Sequence, residues 1–336
     1  MRLRVRRRPA LAGMLMAAAG LLAMMSGAAA DIGYAEALVT DPVTDAPAPV
    51  MIWYPSDAPA APVRRSPFVM RVAVDAEPAP GRHGLVVFSH GSGGAPLAHH
   101  GTAEALAAAG WIVAAPMHPG DDVRNASGAG SAVAFIGRVR TLSAVIDRML
   151  GDPRFAGHVD AGRIAAVGYS AGGAAVLALA GAPADAANAV AFCADHGAED
   201  TLCGRYGVRA DLVVEASRIG PVPADDRLDL AIALMPVTGW FADDALAHLQ
   251  IPVRIMTSQH DEMLPPPLHG ERLAAGSDGA VPIEVMVGAG HFFPLGVLPD
   301  ELAGSDVARD PAGLDRAAAI ARLNDWLIRT LDDAIR

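Results

Sequence analysis

The chain has 336 residues, 26 basic and 37 acidic side chains, a formal charge of −11 and two cysteines. So acidic a body argues against nucleic acid and anionic membrane surfaces as partners. Every basic residue is arginine, which excludes a lysine Schiff base or a lysine general base.

Residues 1–30, MRLRVRRRPALAGMLMAAAGLLAMMSGAAA, carry five arginines, an apolar run from Ala10 to Met25 and small residues up to Ala30. This order predicts a secretory signal peptide. A transmembrane anchor is the alternative, but the run is shorter than the ~18 residues a span needs, and no later segment qualifies. Arg7 and Arg8 leave both general and twin-arginine export open. Cleavage after Ala30 leaves residues 31–336 with a formal charge of −16, destined for the periplasm or the medium.

Short strands are predicted at Ala35–Thr40, Val50–Tyr54 and Phe68–Val74, separated by proline-rich turns that suit an antiparallel sheet edge. The rhythm then changes. Apolar runs at Leu85–Phe88, Trp111–Ala115, Ile164–Val167, Leu228–Leu234, Val253–Thr257 and Ile283–Val287 read as buried strands. Helical stretches lie at Thr102–Ala109, Val139–Leu150, Ala171–Ala180 and Leu314–Leu331. Continuous apolar strands alternating with helices predict one α/β domain around a mostly parallel sheet covered on both faces. Residues 184–226 break this pattern and are read as a small cap or lid over the strand ends, or else as a surface insertion. They contain Cys193 and Cys203. For an exported chain a local disulfide is expected, with two reduced thiols as the alternative; no histidine pair completes a zinc site.

The candidate chemistry starts at VGYSAGG, residues 167–173. Ser170 stands between Gly168 and Gly172 where a strand hands over to a helix, the setting of a nucleophile elbow: a strained turn lifts the hydroxyl above the sheet, and glycines on either flank avoid collisions. With 35 glycines in the chain the pentapeptide alone is a weak signal, so further parts are needed. His291, in VGAGHFFPL, follows the last strand and precedes the terminal helix, which singles it out as the base. Asp261, at the end of IPVRIMTSQHD, is the acid that would orient it, ahead of the adjacent Glu262. In LVVFSHGSGG a glycine turn leaves another strand, and the backbone N–H of Ser92 or its neighbour, with that of Ala171, would bind an oxyanion. A phosphate-cradling reading of HGSGG lacks the lysine of a Walker motif. His118, in MHPGDD, is read as a loop histidine with structural contacts, with a place in the pocket wall as the alternative.

The order Ser170, Asp261, His291 with HGSGG upstream resembles the α/β-hydrolase superfamily over most of the chain from about Gly33 onward. More narrowly, VMIWYPS, FSHGSGG, AAPMHPGDD and GYSAGG resemble bacterial predicted dienelactone hydrolases and relatives of platelet-activating-factor acetylhydrolase. Two positions depart from these groups. Dienelactone hydrolases proper have a cysteine where Ser170 stands, and acetylhydrolase relatives often have a histidine at Tyr169. The resemblance implies a secreted serine esterase that uses neither metal nor organic cofactor and acts on a small-molecule or lipid-like ester. A peptidase or amidase with the same triad and a non-catalytic binding module are the rival functions.

Overall fold

In a computed structural model, residues 31–197, 200, 203–204 and 211–335 are described; the expected signal peptide lies outside them. A ten-stranded sheet organises the chain: β1 (Asp31–Thr40), β2 (Pro47–Ser56), β3 (Ala61–Arg65), β4 (Phe68–Val74), β5 (His83–Ser89), β6 (Ile112–Pro116), β7 (Val159–Tyr169), β8 (Leu230–Leu234), β9 (Val253–His260) and β10 (Ile283–Gly290). Their spatial order is β10-β9-β8-β7-β5-β6-β2-β1-β4-β3. Strands β5 to β10 run parallel. The remaining four extend one edge, where β2 is antiparallel to β6 and β1 to β2. Strand β3, antiparallel to β4 and mostly exposed, is an element that the sequence reading did not contain.

Period-two alternation sorts the strand side chains into two cores. On one face Leu85 and Val87 of β5, Ile164 and Ala166 of β7, and Ala231 and Ala233 of β8 pack against α2 (Ala132–Gly151) and α3 (Ala171–Leu179). On the other, Val86, Phe88, Ala165, Val167 and Ile232 meet α1 (His100–Ala108) and α7 (Arg316–Ala334). Burial on both faces is why these strands are uninterrupted apolar runs rather than alternating ones. Helix α2 begins at Ala132, seven residues before the predicted Val139, and Ser131 Oγ caps it by accepting from Ala134 N at 3.1 Å.

Residues 184–226 include α4 (Ala186–His196) and α5 (Leu212–Ile219). Glu215 Oε2 accepts from Ala132 N at 2.7 Å, satisfying an orphan donor at the start of α2, and Arg140 donates to Ile219 O and Pro221 O, each at 3.1 Å. A disulfide joins Cys193 to Cys203. One further short helix, α6 (Gly270–Ala275), follows β9. Among the described residues no helix is long and apolar enough to cross a membrane.

Candidate active site

All the residues singled out for chemistry leave the carboxyl ends of parallel strands: Gly91 and Ser92 after β5, Ser170 after β7, Asp261 after β9, His291 after β10. In a parallel sheet those ends gather on one rim, where ligands bind. Three of the predicted side chains are brought into bonding contact there. The Ser170 hydroxyl lies 3.2 Å from His291 Nε2, and His291 Nδ1 lies 2.8 Å from Asp261 Oδ2. Residual exposures are 9% for Ser170 and 6% each for His291 and Asp261. Asp261 Oδ1 accepts from the backbone of Met263 at 3.0 Å and Leu264 at 2.7 Å. This leaves Oδ2 for the imidazole, so Nδ1–H donates to the carboxylate and the Nε2 lone pair faces the hydroxyl. Glu262, the neighbouring carboxylate, does not occupy this position.

Ser170 has φ 56° and ψ −115°, a strained backbone held by hydrogen bonds from Ser170 N to Leu234 O (2.9 Å) and from Val237 N to Ser170 O (3.1 Å). The flanking glycines are required by contact. A Cβ on Gly168 would strike the carbonyl of Gly172, and one on Gly172 would strike the carbonyl of Ser89. Strand, elbow and helix are thus in backbone contact, which no larger residue permits.

The turn after β5 touches the elbow: a Cβ on Gly91 would come within 3.3 Å of Ser170 Cβ. A buried ion pair pins this turn from below. Arg138 of α2 donates to Asp121 Oδ2 at 2.7 Å, to His90 O at 2.6 Å and to Asp121 O at 3.0 Å. Asp121 Oδ1 in turn accepts from Ser92 Oγ at 2.6 Å and Gly93 N at 2.9 Å. Both side chains are almost fully buried. With its own oxygen and the next amide bound downward, Ser92 keeps a fixed backbone orientation beside Ser170. Neither Arg138 nor Asp121 was singled out from sequence.

Two histidines brace the same turn. Burial and the Arg138 charge hold His90 and His118 well below the ordinary imidazole range, so both are neutral. His90 Nδ1–H donates to Gly91 O at 2.7 Å, His118 N donates to His90 Nε2 at 3.3 Å, and His118 Nε2 bonds Ser89 Oγ at 2.8 Å. His118 is therefore a structural histidine rather than part of the pocket wall. A third, His99, is pushed down to about 4 by burial, and its Nδ1 bonds Pro294 O at 3.0 Å. Tyr169, beside Ser170, donates to His291 O at 3.0 Å; burial first, then the Asp261 charge, raise its hydroxyl well above 10 and keep it a donor.

A cavity of about 90 Å³ opens at Ser92 and Ala171 and runs between α2, α3 and α4, with Phe135, Cys193 and Trp240 among its lining residues. The disulfide of residues 184–226 therefore forms part of its wall. A second His–Asp pair ties this segment to the body: His269 Nε2 lies 2.6 Å from Asp200 Oδ2, both buried, while His269 Nδ1 accepts from Thr238 N at 3.2 Å. Among the described residues, no group of three or more His, Cys, Asp or Glu side chains is gathered as for a metal ion.

No family model matches the sequence, and no curated protein does. Among solved structures, a ferulic acid esterase from Streptomyces cinnamoneus is similar at 21% identity, over 92% of this chain and 92% of that one, with a TM-score of 0.62. A dienelactone hydrolase-like promiscuous phosphotriesterase from metagenomic libraries is similar at 14% identity, over 90% of this chain and 98% of that one, with a TM-score of 0.52. At such identities the likeness is one of fold, and together with the strand order and the strained turn after β7 it identifies this chain as an α/β-hydrolase fold.

Proposed function

We propose that the protein is a serine hydrolase of carboxylic esters, with Ser170 as nucleophile, His291 as general base and acid, and Asp261 as the group that orients the imidazole. The observation that carries this reading is the unbroken line of contacts from the hydroxyl through His291 to Asp261, at 3.2 and 2.8 Å, on a rim that also holds the pinned glycine turn. His291 Nε2 takes the Ser170 proton as Oγ attacks the ester carbonyl, and Asp261 stabilises the imidazolium that forms. The amides of Ser92 and Ala171 hold the oxyanion. The C–O bond to the alcohol breaks as His291 returns its proton to the leaving oxygen, giving an acyl-enzyme. Water, deprotonated by the same nitrogen, attacks that ester and frees the acid and the serine.

The esterase and phosphotriesterase named among the fold neighbours support hydrolysis at an ester centre. Residues 184–226 serve as a cap that walls the substrate cavity. The Cys193–Cys203 disulfide supports export to an oxidising compartment, with residues 1–30 as the signal. The test is labelling by a fluorophosphonate probe alongside hydrolysis of p-nitrophenyl esters and matched anilides. Labelling and ester turnover should both vanish in Ser170→Ala. Persistent labelling in that variant, or faster anilide than ester cleavage, would overturn the reading.

A further inference from the structure

We propose that Trp240 sets the acyl length of the substrate and that the enzyme takes esters of short aliphatic acids, excluding long-chain and aromatic ones. This inference rests on the esterase reading above. The cavity that starts at the two oxyanion amides is the space into which the group attached to the bound carbonyl extends.

Its chemistry selects against charge. Arg138 and Asp121 border the cavity, yet each nitrogen of the guanidinium already donates, to Asp121, His90 O or Gly91 O. Both oxygens of Asp121 already accept. The two charges are matched to each other, so neither offers a substrate carboxylate or ammonium an unpaired counter-charge, and a charged acyl tail would lose its hydration for little in exchange. The remaining wall is mostly apolar, with Ala134, Ala174, Ala189, Val237, Phe135 and Trp240 among its residues.

Its size selects for brevity. An apolar cavity of ~150 Å³ accommodates a benzene ring; this one measures about 90 Å³, enough for an acyl group of roughly two to four carbons by the same scale. The limit is set by a rigid pair. The Trp240 and Phe135 rings stack with centroids 4.3 Å apart and planes 16° from parallel, and both are buried. Trp240 is further held through its backbone, where its carbonyl accepts from Asp185 N at 2.8 Å, and two residues earlier Thr238 is fastened to His269. The backbone ties fix where the indole starts, and the ring cannot swing aside without unstacking from Phe135.

The experiment compares kcat/KM of the full chain for p-nitrophenyl acetate, butyrate, octanoate and benzoate. Octanoate and benzoate should each fall about tenfold or more below butyrate. Trp240→Ala should raise the octanoate-to-acetate ratio about tenfold or more, and Ala189→Leu, which fills the cavity from α4 without emptying the core, should lower the butyrate-to-acetate ratio by a similar factor. Equal turnover of acetate and octanoate, efficient cleavage of benzoate, or unchanged ratios in Ala189→Leu would overturn the proposal while leaving the esterase reading intact. Failure of the unaltered protein to cleave any ester would instead bring down the functional reading itself.

Discussion

The turn after β5 and residues 184–226 face each other across the cavity, and they are held by different means. The turn is fastened from inside: an ion pair with almost no exposure, two neutral histidines and a backbone packed against the elbow. The described residues of the segment are fastened by a disulfide, by Glu215 on the end of α2, by Arg140 on two carbonyls, and by the fully buried couple of Asp200 with His269. It also leaves Val190, Val213 and Val214 in solvent. Under the proposed reading, positions that would hold an oxyanion are fixed by groups that cannot be removed singly without stranding a buried charge. Positions that, under the same reading, would only enclose the acyl group are fixed by ties that can be lost one at a time.

The largest effect is expected at the Ser170–His291–Asp261 contacts, beside the turn. Asp261→Asn should lower kcat about 10⁴-fold with little change in KM, because the amide favours the wrong imidazole tautomer; steady-state kinetics will read this, and a loss confined to KM would break the assignment. Next is the turn itself. Arg138→Met leaves Asp121 buried without its cation and should cost about 3–5 kcal/mol of stability, with kcat falling roughly 10²–10³-fold through a displaced oxyanion donor. Urea denaturation and kinetics on the same sample separate the two, and full activity in the folded variant would show that the turn needs no such pin.

On the other side of the cavity, Cys193→Ser with Cys203→Ser should cost about 2–3 kcal/mol, and its kinetic effect should fall on KM and acyl preference rather than on kcat. A large kcat loss would erase the distinction between the two regions. The smallest effect concerns pH. His99 is neutral in the folded protein, with a pKa of about 4 against an ordinary 6.5. Between those values the unfolded chain binds a proton that the native one does not, so the stabilisation present above pH 6.5 is lost progressively as pH falls toward 4. His90 and His118, also held low by burial, act in the same direction. His99→Gln, which keeps a donor for Pro294, should shrink the drop in Tm between pH 7 and pH 5; an unchanged drop would remove His99 from this account.

The parallel strands were legible because burial on both faces leaves a mark that local reading can find: VVF, IAAV and LAIAL are each apolar throughout. The edge strand β3, APVRR, carries neither alternation nor apolarity, and it pairs only because β4 presents an open edge to it. Helix α2 was placed late because Arg138 interrupts its apolar stripe. An arginine in that position reads as a solvent face until Asp121, a neighbour only in space, supplies the reason for its burial. Ser170, Asp261 and His291 were legible because each stands at a strand's end in a recognisable local setting, whereas the support under Ser92 comes from pairings between distant residues that no spacing announces. The stacking of Phe135 on Trp240 in the cavity wall is likewise a pairing of distant residues that no spacing announces.

The couple formed by Asp200 and His269 has one more implication. Because the amide of Thr238 points its hydrogen at Nδ1, that ring carries its proton on Nε2 and gives it to the carboxylate. The ring of His291 is wired the other way round, proton on Nδ1 and lone pair outward. These two buried couples thus have opposite polarity, and of the two only that of His291 has a nitrogen left to accept from an alcohol. Under the proposed reading, the couple of His269 and Asp200 is therefore no substitute for that of His291.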